Sequence, residues 1–242
     1  MICKACNQDK DLIDAHIVPK SLFMKLRGNS NHLDVLGSDF NGRKGRTFKG
    51  EYDKTILCYE CDGVFQKCDN YAKILFVDRE NEMEEIWKNS DLVGWELETI
   101  DYDLFKQFVL SVLWRASVSR RSYYGLISLG PHEAIIKKDI FGQERFPCTH
   151  YQFLVSRYLP DKVPELERTM LNPDSIKIEG VNFCRVFFLG YTIWVKVDKR
   201  PLPTALESLK IVDGEPLRAV ARSYGSSKER NILLKLHAQL KI

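Results

Sequence analysis

The most regular stretch of the chain runs from Tyr102 to Arg121. Leu104, Phe105, Phe108, Val109, Val112, Leu113 and Ala116 recur at helical spacing and form one apolar stripe, with Asp101 or Asp103 placed to cap its start. Such a stripe reads as core. The same spacing recurs in Val64, Phe65, Cys68, Tyr71, Ala72 and Leu75, which predicts a second helix after Cys61. Gly130-Pro131 interrupts the pattern, and His132-Glu133 opens a third helix predicted to run to about Ile140. Arg79 to Glu85 is polar and acidic and reads as a connector.

From Thr149 onward the periodicity changes. Tyr151 to Tyr158 alternates loosely, and Ser175 to Ile178, Phe183 to Leu189 and Tyr191 to Val197 are rich in β-branched and aromatic residues. Gly190 separates the last two at hairpin distance, which predicts an antiparallel meander. Pro160, Pro164, Pro173, Pro201 and Pro203 mark its edges. The final segment, Arg218 to Ile242, is basic with an apolar stripe of Ile232, Leu233, Leu236 and Leu240; docking on the body is its default reading.

Composition narrows the class. The 242 residues are 44% hydrophobic and 29% charged, as in ordinary globular domains. A net charge of +3 permits nucleic-acid binding without demanding it. No apolar run is long enough to span a bilayer. A cysteine knuckle beginning at Cys3 leaves no room for a cleavable signal, so the expected location is cytoplasmic.

Seven cysteines are an odd number, and in a reducing compartment paired Cys-x-x-Cys knuckles read as metal ligands. Cys3-Lys4-Ala5-Cys6 and Cys58-Tyr59-Glu60-Cys61 have the same two-residue gap. Four thiolates suit a closed tetrahedral zinc of structural role, which offers no open position for chemistry. A thioredoxin-type redox pair is disfavoured because no strand-then-helix pattern surrounds Cys3. Cys68, Cys148 and Cys184 sit among apolar neighbours and read as buried small hydrophobes.

Between the knuckles lies Asp14-Ala15-His16-Ile17-Val18-Pro19. Together, Cys-x-x-Cys, an acid just before His-Ile-Val-Pro, and Leu-Cys-x-x-Cys opening a helix resemble the zinc-bearing HNH endonucleases of the ββα-metal, or His-Me finger, superfamily. The resemblance covers residues 1–77. It implies a zinc-stapled ββα-metal finger over 1–77; with the helical segment and antiparallel meander read from the pattern in 78–242, the expected fold is α+β. The resemblance also implies metal-dependent phosphodiester hydrolysis, leaving a 5′-phosphate and a 3′-hydroxyl. Such fingers recur in mobile elements and phage defence.

By that resemblance His16 is the general base, Asp53 stands at the motif's middle position, and Asp62 binds a catalytic Mg(2+) or Mn(2+) from the helix. Ala15 departs from the pattern: many members carry a metal-binding aspartate there, and here Asp14 precedes it by one. Strand alternation turns Asp14 to the same face as His16 and makes it the second candidate ligand. His16 can also be a satisfied structural histidine, and each aspartate a solvated surface group. Asp69 is two turns past Asp62, too far to share one ion with it, and reads as a helix-surface or helix-docking charge.

Five glycines punctuate Arg27 to Gly50, and Arg43, Lys44, Arg46 and Lys49 cluster there without an acid among them. This basic loop either grips a DNA backbone or is merely solvated. Arg115, Arg120 and Arg121 could add phosphate contacts, although a solvated helix end is the plainer reading. The two readings of the whole chain are a nuclease acting on nucleic acid, most simply DNA, and a non-catalytic zinc-held module gripping nucleic acid or protein. A protein partner or homo-oligomer is compatible with either. Replacing Cys58 by Ser should unfold the N-terminal finger and release about one zinc per chain, measurable by metal analysis of the purified protein.

Overall fold

A single helix, α4 (Tyr102–Val118), packs between the N-terminal region and a seven-stranded sheet. The computed structural model describes residues 1–36, 44–142, 151–159, 169–225, 227, 229–231 and 234. Asp101 caps α4 by accepting from the Leu104 amide at 2.9 Å. Twelve of the 17 residues of α4 are buried, so the helix is covered all round rather than along one stripe. Its only route to such burial is to be packed on two sides.

On one side lies a seven-stranded sheet. Its strands are β5 (Glu84–Lys88), β6 (Asp91–Leu97), β7 (Gln152–Tyr158), β8 (Met170–Ile178), β9 (Val181–Phe188), β10 (Tyr191–Lys196) and β11 (Leu217–Arg222). Their spatial order is β5-β6-β11-β7-β10-β9-β8. Strand alternation splits the side chains between two faces. Phe153, Val155, Cys184, Val186, Phe188, Tyr191, Ile193 and Val195 belong to the main core. Phe105 meets Phe153 at 5.6 Å and Phe108 meets Phe188 at 6.0 Å, both edge to face. The alternate residues Leu154 and Phe183 form a smaller cluster with Val181 and Leu202, while Tyr158 and Phe187 form another with Leu171.

The antiparallel meander holds only for β8, β9 and β10. β7 pairs with β10 rather than β8, and β11 lies parallel to β7, so the sheet is mixed. Parallel neighbours need a long crossover, and β11 returns only after the intervening strands and a 3-10 turn at Thr204–Leu209. The hairpin turns follow from left-handed residues: Glu179-Gly180 between β8 and β9, and Leu189-Gly190 between β9 and β10. β8 is longer than its apolar tail suggested, because Pro173 sits in a bulge on this edge strand, where a missing amide costs no ladder bond.

The expected connector, Arg79 to Glu85, holds a 3-10 turn at Glu80–Glu82 and runs into β5, which is joined to β6 through Asn89 and Ser90, both with positive φ. Glu84 and Glu85 are exposed on this edge strand and hid its pattern. The predicted third helix is present as α5 (His132–Phe141). Buried Lys106 of α4 pairs with Asp139 of α5 at 3.1 Å.

On the other side of α4 lies the N-terminal region. β1 (Ala15–His16) pairs antiparallel with β4 (Tyr52–Asp53), placing Ala15 opposite Asp53 and His16 opposite Tyr52. Between them come α1 (Lys20–Arg27) and a second pair, β2 (Leu33–Leu36) with β3 (Lys44–Thr47). Thus the expected loop between the strands is partly structured. After β4 follow α2 (Tyr59–Gly63) and α3 (Gln66–Lys73), the latter continuing into a π turn at Ile74–Asp78. The chain is therefore mixed α and β, with a strand pair followed by helices near the N-terminus.

One continuous buried cluster extends from Cys3 to Ala219, joining the N-terminal region to α4 and the sheet. Phe76 is its bridge, 6.2 Å from Phe108, 5.0 Å from Phe188 and 5.2 Å from Tyr191. Tyr71 Oη also accepts from the Asp101 amide at 2.6 Å, tying α3 to the start of α4. Glu229 anchors the C-terminal segment by accepting from Arg185 at 2.8 Å and from Tyr158 at 2.7 Å. The apolar stripe predicted beyond it lies outside the described residues. Replacing Phe76 by Ala should cost about 3–5 kcal/mol, with one shared denaturant transition for both halves by fluorescence and circular dichroism.

Candidate functional site

The two cysteine knuckles converge. The Sγ atoms of Cys3, Cys6, Cys58 and Cys61 lie within 4.8 Å of one another, a group that could hold a metal ion. A tetrahedral metal with bonds of roughly 2.3 Å places its sulfurs roughly 3.8 Å apart, so the donor set fits zinc. Local backbone builds the first knuckle: the Cys3 amide donates to the Gln8 carbonyl at 3.0 Å, and Asn7 turns the chain with φ 58°. The second is the entry to α2, with the Cys58 amide donating to Cys3 Sγ at 3.4 Å. Burial raises the Cys3 thiol, but amide donors from Cys6, Cys58 and Ala5 outweigh it and lower the value to about 6. By contrast, burial pushes Cys68 and Cys184 up to about 11, as expected of inert thiols. Cys148 lies outside the described residues.

His16 sits at the end of β1, half-buried, with its ring tilted against Tyr52 at 5.9 Å. Its Nε2 is 2.9 Å from the Lys49 carbonyl oxygen. A carbonyl can only accept, so Nε2 carries the proton and, in the neutral ring, Nδ1 holds the lone pair. The turn that brings Lys49 there is fixed by Thr47, whose hydroxyl donates to the Gly50 carbonyl at 2.8 Å and accepts from the Gly50 amide at 3.0 Å. Gly50 has φ +94°, and a Cβ there would lie 2.5 Å from the Phe23 ring, so glycine is required.

The acids around His16 have separate fates. Asp53 is buried and accepts from the Thr55 amide at 2.7 Å, the Thr55 hydroxyl at 2.6 Å, the Ser119 hydroxyl at 2.6 Å and the Arg120 amide at 3.1 Å. Burial alone would raise its pKa; the donors outweigh burial and hold it below the ordinary 3.8. Its contacts make it a clamp between β4 and the end of α4. Asp14 is exposed and 3.6 Å from Lys54. Asp62, in α2, is half-buried; desolvation raises its pKa, opposed by Arg115 and His16 and reinforced by Asp69. Among the described residues, the four cysteines form the one group of three or more metal-ligating side chains that converge. Asp14 and Asp62 do not join His16 in such a group.

Arg115 was expected at a solvated helix end, yet it is 1% exposed. Nη1 donates to the His16 carbonyl at 2.9 Å and to Asp69 at 2.9 Å, and Nη2 donates to Asp69 at 2.8 Å. Nε and Nη2 also donate to the Ser111 carbonyl and hydroxyl at 3.3 and 2.9 Å. All five donors of the guanidinium are thus engaged. Of the two readings open for Asp69, a surface or a docking charge, its pairing with Arg115 makes it the docking charge. Arg121 continues the grip, donating to the Tyr52 carbonyl at 3.0 Å and pairing with Glu51 at 3.0 Å. The sequence signal for Arg115 was a charge inside a helix that is otherwise apolar over its central turns.

Of the basic cluster, Arg46 and Lys49 are exposed, with Lys49 offering its carbonyl to His16. Lys44 belongs to β3, and Arg43 lies outside the described residues. No helix among the described residues is long and apolar enough to cross a membrane. No protein-family model matches the chain, and no curated protein or solved structure shows significant similarity to it.

The depressed pKa of Asp53 has a signed consequence. Its stabilisation is complete above the unfolded value near 3.8 and is lost as pH falls through the lower folded value. Replacing Asp53 by Asn should cost about 1–3 kcal/mol at neutral pH, and the gap to wild type should narrow in melts taken below that value.

Proposed function

We propose that the chain is an HNH-type endonuclease, cleaving phosphodiester bonds in nucleic acid, with DNA as the first substrate to test. The observation that carries this reading is the His16 ring: its Nε2 proton is committed to the Lys49 carbonyl, which leaves Nδ1 as a proton acceptor on a half-exposed strand end. The motif resemblance around His16, the antiparallel β1–β4 pair and the helix entered through Cys58 support it.

The four cysteines take a structural zinc, which holds β4 and α2 against the N-terminal knuckle. In the reaction, Nδ1 of His16 accepts a proton from water as its oxygen forms a bond to phosphorus. The bond from phosphorus to the 3′ oxygen breaks, and that oxygen takes a proton from solvent. Products are a 5′-phosphate and a 3′-hydroxyl. Arg46 and Lys49 add positive charge for the backbone.

The residues present fit a catalytic divalent ion only sparsely, because Asp69 is committed to Arg115 and Asp14 faces Lys54. Asp62 is the carboxylate that would hold magnesium or manganese, ions that keep much of their own hydration. Such an ion, when bound, supplies charge stabilisation at the leaving oxygen. That thin donor set also favours a second reading, a zinc-held module that grips nucleic acid or protein without cutting.

Plasmid nicking with magnesium or manganese separates the two. The endonuclease reading expects cleavage by wild type, a loss of at least about 100-fold in His16→Ala, and unchanged DNA retention by that variant. Retention without nicking by wild type under either metal assigns the chain to the binding module.

A further inference from the structure

The residue that reaches furthest toward His16 belongs to neither the motif nor the N-terminal region. Arg115 is 99 positions away in sequence and donates to the His16 main-chain carbonyl at 2.9 Å. We infer that Arg115 is a positioning residue for His16, and that through it α4 and the sheet behind it set the competence of the base. The inference rests on the hydrolytic reading of His16.

Two observations carry it. First, the guanidinium is held from every side: by Asp69 on α3, by Ser111 one turn earlier on α4, and by the face of Phe65 at 4.5 Å. It therefore contacts the His16 carbonyl as a rigid fork rather than as a mobile side chain. Second, the segment that leaves α4 grips the partner strand, through Ser119 and the Arg120 amide on Asp53 and Arg121 on the Tyr52 carbonyl. Both strands carrying the base are thus held by one helix. β1 is only two residues long, too short to fix its own geometry through a ladder.

The His16 ring is then fixed at two points: its Nε2 by the Lys49 carbonyl, and its backbone by Arg115. Loss of the second lets the ring shift relative to bound substrate while substrate contacts at Arg46 and Lys49 stay intact. The consequence is a fall in turnover and not in binding, since small misplacement of a reacting group has large cost.

The test uses the full chain with Arg115→Lys, which keeps the charge but loses the planar fork, and Asp69→Asn, which leaves the carbonyl contact but frees its brace. Fold is checked by melting and zinc content. Cleavage of a fluorophore-labelled DNA duplex gives kcat and KM, and nitrogen-15 spectra of the His16 ring report which nitrogen is protonated. Arg115→Lys should lower kcat about 10- to 100-fold with KM within about 2-fold, and should mix the two ring tautomers; Asp69→Asn should do the same more weakly. An Arg115→Lys protein that folds, keeps wild-type kcat and keeps the Nε2-protonated ring overturns the inference. So does a loss of rate that matches the unfolded fraction in both variants. If wild type cuts nothing while Arg115→Lys still mixes the tautomers, the hydrolytic reading falls and the positioning role stands.

Discussion

A fully buried guanidinium is the constraint around which this molecule is arranged. Removing an ionic group from water is tolerated only when its partners replace what water supplied. Arg115 meets that condition by drawing donors' partners from β1, α3 and its own helix at once. Each partner is consequently fixed in place. Breaking such a group on one side costs about 3–5 kcal/mol, because the remaining charge is left buried. The N-terminal region and the sheet therefore share more than an apolar boundary.

The apolar contribution runs in the same direction. α4 is buried on both sides because aromatic residues from the sheet and residues of α3 both need a surface to cover. Phe76 illustrates the consequence: it belongs to the N-terminal region by sequence and to the sheet core by contact. The four-cysteine group lies among short strands and loops. A metal held there would add to the small core those elements offer, as metals do in small motifs generally.

Electrostatics around His16 are built by commitment of charges rather than by accumulation. Asp53, Asp69 and Asp14 each answer a named donor or cation, and Asp62 remains half-buried within electrostatic reach of His16. The arrangement is poor in oxygen ligands and rich in groups that hold backbone. This is why the imidazole tautomer, set by the Lys49 carbonyl, carries more of the functional argument than the carboxylates do.

The cysteine spacing by itself pointed to a four-sulfur group able to hold a metal, since each short knuckle presents two sulfurs; folding brought the two knuckles together. The apolar stripe determined α4, the β-branched runs determined β9 and β10, and Leu189-Gly190 marked their turn. For Asp69 helical spacing excluded a shared ion with Asp62 but left surface and docking roles open, and only the partner Arg115 decided between them. Long-range order was another matter. Nothing local in Leu217–Arg222 states that it pairs parallel with β7, because register and neighbour depend on which edge is left open after the hairpins form. The acidic edge strand β5 carries too many exposed polar residues for its pattern to show. Arg115 looked like a solvated helix end because its partners lie 46 and 99 positions away, and a charge becomes a buried tie only when folding brings those partners to it. Tertiary structure alone decided that the histidine singled out by its motif is held by a helix outside that motif.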